Sequence, residues 1–184
     1  YYVVSDYKVY KCIYNGSSPA NPNGIASTVA PSGTGTTIFT TADTYKWKFL
    51  YSIGTDDVIK FYTTSYAPVP ANWGVGTAGD PANGVDVKAA AVDGAIDTVV
   101  INTGGTGYTD NASTGYTNVP IRGDWAQNGG VQALATVKVS SGAVSEVTIT
   151  TPGSGYTYGY INVNSTEISG IGAPGTEAVL EVII

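Results

Sequence analysis

The chain contains no histidine, no methionine, a single cysteine and only eight basic residues among 184. Without histidine, Ser-His-Asp and Cys-His nucleophilic machinery and the commonest metal ligand are excluded within this sequence. One cysteine, Cys12, permits no intrachain disulfide, and its place in an alternating pattern predicts a packed core thiol. The basic residues, led by Lys8, Lys11, Lys46 and Lys48, form no run and are outnumbered by fourteen acidic ones. The electrostatic footprint of a nucleic-acid binder is therefore missing. No apolar run approaches the ~18 residues of a membrane-spanning helix, and Tyr1 to Tyr10 lack the charged and apolar regions of a signal peptide. The expectation is a soluble chain with no nucleic-acid or membrane partner. With Tyr1 first and no methionine anywhere, the sequence also reads as part of a longer polypeptide.

The straight-chain helix formers are scarce as well, whereas 24 glycines and 14 tyrosines join abundant Val, Thr, Ser and Asn. That bias predicts strands and turns. Hydrophobic residues make up 42% against 12% charged, so the chain can bury a core, and its length suits one large or two small domains. Residues 2–14 alternate closely enough for one or two strands, with Lys8, Tyr10, Cys12 and Tyr14 on one face. Asn15-Gly16 opens a Ser-, Pro- and Gly-rich stretch that reads as surface loop to Gly35, ordered chain resuming at Thr36. Tyr45, Trp47, Phe49 and Tyr51 form an aromatic stripe at period two, a strong strand signal. Residues 36–53 and 55–67 escape internal Gly or Pro almost entirely, but their β-branched and aromatic content argues against a helix in either. Residues 71–84 read as a linker or long loop between a β-rich region, 1–70, and a second β domain, 85–184.

The second region contains an internal repeat, about 91–109 and 139–157. Gly94-Ala95-Ile96 returns as Gly142-Ala143-Val144, and Val99 and Ile101 return as Val147 and Ile149. Gly105-Thr106-Gly107-Tyr108-Thr109 returns as Gly153-Ser154-Gly155-Tyr156-Thr157. After each copy comes an alternating strand, Ala133 to Val139 in one and Ala178 to Ile184 in the other. Each unit is then a glycine turn, a half-buried strand and a Gly-x-Gly-Tyr corner, whose glycines can take positive φ and whose tyrosine can cover the core. Two copies are too few for a solenoid. The expected architecture is all-β and antiparallel, a sandwich or barrel closed by two related halves.

Few residues point to chemistry. Asp56-Asp57 is the one adjacent acidic pair considered for carboxylate catalysis, and a solvated turn explains it better than a dyad. Gly170-Ile171-Gly172-Ala173-Pro174-Gly175 has the spacing of a dinucleotide loop, but a strand rather than a helix is expected after it. Arg122-Gly123-Asp124 and the sequons at Asn15, Asn111 and Asn164 are the chance products of this composition. No metal, cofactor or catalytic residue is assigned. The aromatic residues are the serious binding candidates, because flat amphipathic rings stack on sugars and anchor partner proteins. Trp47, Tyr108 and Tyr156 occupy patterned positions that packing explains. Trp73, Trp125 and Tyr158 lie in loops and are the candidate interface or ligand contacts.

An ordered series of short motifs carries a family resemblance: Val9-Tyr10-Lys11-Cys12, a loop with Ile25-Ala26-Ser27-Thr28, Thr44-Tyr45-Lys46-Trp47-Lys48-Phe49-Leu50-Tyr51, then Tyr66-Ala67-Pro68-Val69-Pro70 and Trp73-Gly74. Over about residues 1–74 the chain resembles the baseplate wedge subunit family of contractile-tailed phages. The Gly-Tyr repeat beyond residue 84 is similar to repeats of other phage tail proteins. The resemblance implies a non-enzymatic, β-rich virion protein, assembled in the host cytoplasm, whose partners are other baseplate and tail proteins or a second copy of itself. A carbohydrate- or receptor-binding module of a tail fibre or adhesin is the alternative, with the loop tryptophans as contacts.

Overall fold

A computed structural model describes residues 2–18 and 20–184. Two compact units emerge, one formed by residues 1–16 and 26–91, the other by residues 17–25 and 92–184. The chain is all-β in class, its strands forming antiparallel sheets of four, two, two and three strands among the described residues. Residues 71–84, expected to be a linker, belong to the first unit, and the division falls after Ala91.

In the first unit, β1 (Tyr2–Ser5), β2 (Lys8–Tyr14), β3 (Phe39–Thr40) and β4 (Lys46–Ser52) form one sheet in the order β1-β2-β4-β3. The alternating N-terminal stretch is thus a hairpin, turned at Asp6 and Tyr7, both at positive φ (50° and 54°). The aromatic stripe does what its period predicts: Tyr45, Trp47, Phe49 and Tyr51 are all buried. A bulge shifts the β2–β4 register between Val9 and Tyr10, which pair with Tyr51 and Phe49. Consequently the stripe divides. Tyr45, Trp47 and Phe49 pack with Tyr10 and Val87, whereas Tyr51 joins Val9 and Ile53 in a second cluster. Cys12 is half-buried at the margin of the first cluster rather than fully enclosed, its thiol 3.4 Å from the Tyr14 carbonyl.

Two expectations need correction. Residues 55–61, read as non-helical, form a short helix α1 (Thr55–Phe61), and α2 (Val85–Ala90) follows a 3₁₀ turn at Pro81–Asn83. Both helices span two turns or less, too short for a 3.6-residue period to register. Charge favours α1: Asp56 and Asp57 sit in its first turn and Lys60 in its last, which suits the helix dipole. Val58 anchors it to the Tyr51 cluster. The Asp56-Asp57 pair is therefore helical rather than a turn, and Asp56 faces Lys60 at 3.8 Å. Nor does ordered chain wait for Thr36. The Asp43 carboxylate accepts from the Thr28 and Val29 amides (2.8 and 3.0 Å) and the Ser27 hydroxyl (2.9 Å), and the Tyr10 hydroxyl donates to Gly33 O (2.8 Å). Hydrogen bonds from Thr41 foremost, then from these loop groups, hold the Asp43 carboxyl well below the ordinary range.

The second unit contains β5 (Thr98–Thr103), β6 (Asn111–Pro120), β7 (Arg122–Gly123), β8 (Leu134–Ser140), β9 (Ala143–Thr151), β10 (Gly159–Tyr160) and β11 (Val179–Ile183). Its repeat is realised as a reciprocal exchange. Strand β5 of the first copy pairs with β11 of the second, while β9 of the second pairs with β8 of the first. The registers match residue for residue: Leu180↔Ile101 and Val182↔Val99 correspond to Ala135↔Ile149 and Val137↔Val147, and both ladders slip at the same step. The corners are exchanged too. Tyr156 N donates to Gly94 O and Tyr108 N to Gly142 O, both at 3.1 Å, and Ile96 N to Pro152 O matches Val144 N to Gly104 O, both at 2.8 Å.

Each corner tyrosine lies buried and caps the amide just ahead of a strand in the other copy. Tyr108 Oη accepts from Ala178 N and Tyr156 Oη from Ala133 N, both at 2.8 Å. Glycine is obligatory behind them. Gly105 (φ 69°) and Gly153 (φ 65°) would each place a Cβ 2.6 Å from a backbone oxygen, of Thr176 and Val131 respectively. Neither copy can complete its own sheet or satisfy its own strand ends, so the two fold as one core. That core centres on Ile121, Ala133, Ala135, Val137, Val139 and Ile171, all fully enclosed. Burying each such Val or Ile contributes about 1.5–3 kcal/mol.

Candidate functional site

Of the three loop aromatics, Trp73 belongs to the first unit and Trp125 and Tyr158 to the second. Trp73 is 36% exposed, and its inner surface is built into the fold. Its ring lies edge-on to Tyr51, centroids 6.0 Å apart at 81°, and covers Gly84, where a Cβ would fall 2.3 Å from the indole. Gly84 sits at φ 61° as the cap between the 3₁₀ turn and α2, so glycine serves both the turn and the close approach. The Tyr51 hydroxyl donates to Pro68 O at 3.0 Å, pinning the Tyr66–Pro70 segment beside the ring. Together with Tyr2, Val4, Val9, Leu50 and Val69, Trp73 and Tyr51 line an open apolar groove of about 590 Å³. Tyr2 (66% exposed) and Val69 (76%) stand at its rim.

Trp125 is half-buried against the core of the second unit, which makes packing its main role. Tyr158 is exposed. The segments bearing them are joined through Asp124, whose carboxylate accepts from Thr157 N (2.9 Å), Tyr158 N (3.3 Å) and the Thr157 hydroxyl. Those bonds, the hydroxyl's foremost, hold the Asp124 carboxyl well below its usual range. Arg122 in turn donates to Glu167 Oε2 from Nε (3.2 Å) and Nη2 (2.6 Å), and this pairing raises the guanidinium's affinity for its proton. Both charged ends of Arg122-Gly123-Asp124 are thus committed within the fold. They cannot be offered to an adhesion receptor without breaking these bonds.

The glycine series 170–175 is likewise structural. It opens no helix; Ile171 is fully buried, its carbonyl accepts from Thr109 N (2.8 Å), and Gly175 N donates to Thr106 O (2.8 Å). Asn164 Oδ1 accepts from Thr166 N and Glu167 N (both 3.1 Å) in a local turn, and Asn111 Oδ1 accepts from Gly115 N (3.2 Å) within the irregular strand β6, so both sequon asparagines bond locally. Among the described residues no group of three or more His, Cys, Asp or Glu side chains could hold a metal ion, and no helix is long and apolar enough to cross a membrane. Sequence reading missed Tyr2, Val4 and Val69 as lining residues of the groove, because they gather around Trp73 only through the β1–β2 hairpin and the Tyr51–Pro68 bond. No family model, no curated protein and no solved structure matches the chain.

Proposed function

We propose that the chain is a structural component of a phage tail baseplate, a wedge-type subunit that works by packing against other baseplate proteins rather than by transforming a molecule. The observation that carries this reading is the apolar groove of the first unit. Tyr2, Val69 and Trp73 remain exposed around a floor of Val4, Val9, Leu50 and Tyr51. A contiguous apolar surface of this kind is costly to leave in water and characteristic of a protein interface. The groove coincides with the motifs that resemble the wedge family: Val9 and Tyr51 on its floor, Pro70 on its wall and Trp73 at its edge. In this reading no residue is catalytic and no cofactor is used, and the protein resides in the virion.

Immunogold labelling of intact contractile-tailed particles with antibodies against the chain tests the proposal. Label is expected at the sheath-distal end of the tail. Label confined to the fibres, or none on particles that contain the chain by mass spectrometry, would replace it with a fibre module or with a non-structural role.

A further inference from the structure

On the second unit a polar cavity of about 520 Å³, lined by none of the loop aromatics, opens between β6 and residues 167–169. It lies where the two repeat copies stop resembling each other. The turns, paired strands and tyrosine corners are duplicated, whereas the connections after Tyr108 and Tyr156 differ in sequence and contribute the walls. The connections also send Val119, Ile121, Ile168 and Ile171 into the core, but their exposed side chains are not fixed by the repeat and can carry recognition.

The backbone of β6 is distorted at this point. Its pairing with β8 slips between Asn111 and Tyr116 and again between Tyr116 and Val119. Gly115 (φ 71°) answers to packing, since a Cβ there would sit 2.7 Å from Thr136 Cγ2 and 3.1 Å from Val137 O. Asn118 (φ 57°) is different. It is an exposed non-glycine residue in the left-handed region, and it lines the cavity. Beside it the Tyr116 ring is held in place by its hydroxyl, 2.9 Å from Thr109 O and 3.2 Å from Gly170 O. Thr117 and Ser169 add hydroxyls to the wall. The single acidic lining group, Glu167, is already paired with Arg122.

We propose that this cavity binds a neutral saccharide. A fixed, half-buried phenol ring supplies the flat apolar face that sugar C–H groups need, and amide and hydroxyl side chains surround it to exchange hydrogen bonds with sugar hydroxyls. Other ligand classes fit poorly. The one guanidinium near the site is spent on Glu167, which disfavours anions; one paired carboxylate cannot hold a metal ion; and the polar walls disfavour a purely apolar guest.

The test is a glycan array of neutral, sialylated and sulfated glycans probed with the whole chain, followed by titration with the responding glycans. Neutral glycans are expected to respond. Asn118→Gly keeps the backbone conformation accessible and removes the amide, so it should weaken binding about ten-fold or more at an unchanged melting temperature. Ser169→Ala should weaken it too, whereas Tyr158→Ala, outside the cavity, should leave it unchanged. Absence of any neutral response, a response restricted to anionic glycans, or binding that survives Asn118→Gly and Ser169→Ala would each overturn the proposal. Particle labelling is unaffected by any of these outcomes, so the baseplate reading stands or falls separately.

Discussion

Replacing Tyr156 by phenylalanine removes one oxygen from the centre of the exchanged core. That oxygen accepts from Ala133 N and donates to Ile121 O, both at 2.8 Å, and Ala133 and Ile121 are fully enclosed. No water can replace it without opening the core. Both an amide and a carbonyl are then left without a partner, at about 1–3 kcal/mol each, so the variant should lose roughly 2–6 kcal/mol. The equivalent Tyr108→Phe removes only the bond to Ala178 N, which is less deeply buried, and should cost about 1 kcal/mol. Urea denaturation, with a transition fitted for each unit, measures both losses. Amide exchange at Ala133 supplies the local readout, since this proton should lose protection in Tyr156→Phe alone. If the two variants cost the same, or if Tyr156→Phe falls within about 0.5 kcal/mol of the parent, the capping argument is wrong.

Other consequences follow from the same geometry. Gly153→Ala should cost more than about 3 kcal/mol, because its Cβ meets Val131 O at 2.6 Å, while Gly33→Ala, with open space around it, should cost only about 1 kcal/mol for its positive φ; thermal melts of both decide this. Burial raises the Tyr156 phenol, so the stability it lends is fully present below the ordinary value of about 10 and is lost as pH rises from there toward the raised value. Melting temperature should therefore decline above about pH 10, and less steeply in Tyr156→Phe. The lowered Asp124 carboxyl works in the opposite direction, contributing stability above its ordinary value of 3.8 that is lost as pH falls below it. Asp124→Asn should thus be less stable at neutral pH and show a flatter decline on acidification. A parallel decline in parent and variant would remove Asp124 from the account.

Much of this fold is legible in the sequence because its signals are local and periodic. The Tyr45–Tyr51 stripe has one solution as a strand, and the Gly-x-Gly-Tyr corners fix both backbone conformation and the position of a buried ring. What the sequence could not disclose was the exchange of partners. Equal copies at Gly94 and Gly142 are compatible with each half pairing within itself, and only the ladders of β5 with β11 and β8 with β9 decide otherwise. The two-turn helices escaped notice because charge placement and a single anchoring valine, rather than a hydrophobic period, account for α1. The Asp6-Tyr7 turn escaped because neither residue is a glycine. Among the candidate contacts, Tyr158 is exposed while the half-buried Trp125 ring packs on the core, a burial that its place in a loop does not disclose. The polar cavity left no sequence signal, since the asparagine, serine and threonine that line it are common throughout the chain.

On the proposed reading, the chain acts by being packed against other proteins in a tail baseplate. Electron cryomicroscopy of an intact particle at side-chain resolution tests it most directly. The account predicts density for the chain in the baseplate, with the groove of Tyr2, Val69 and Trp73 covered by a neighbouring polypeptide. A chain found elsewhere, or one placed in the baseplate with that groove open to solvent, would contradict it.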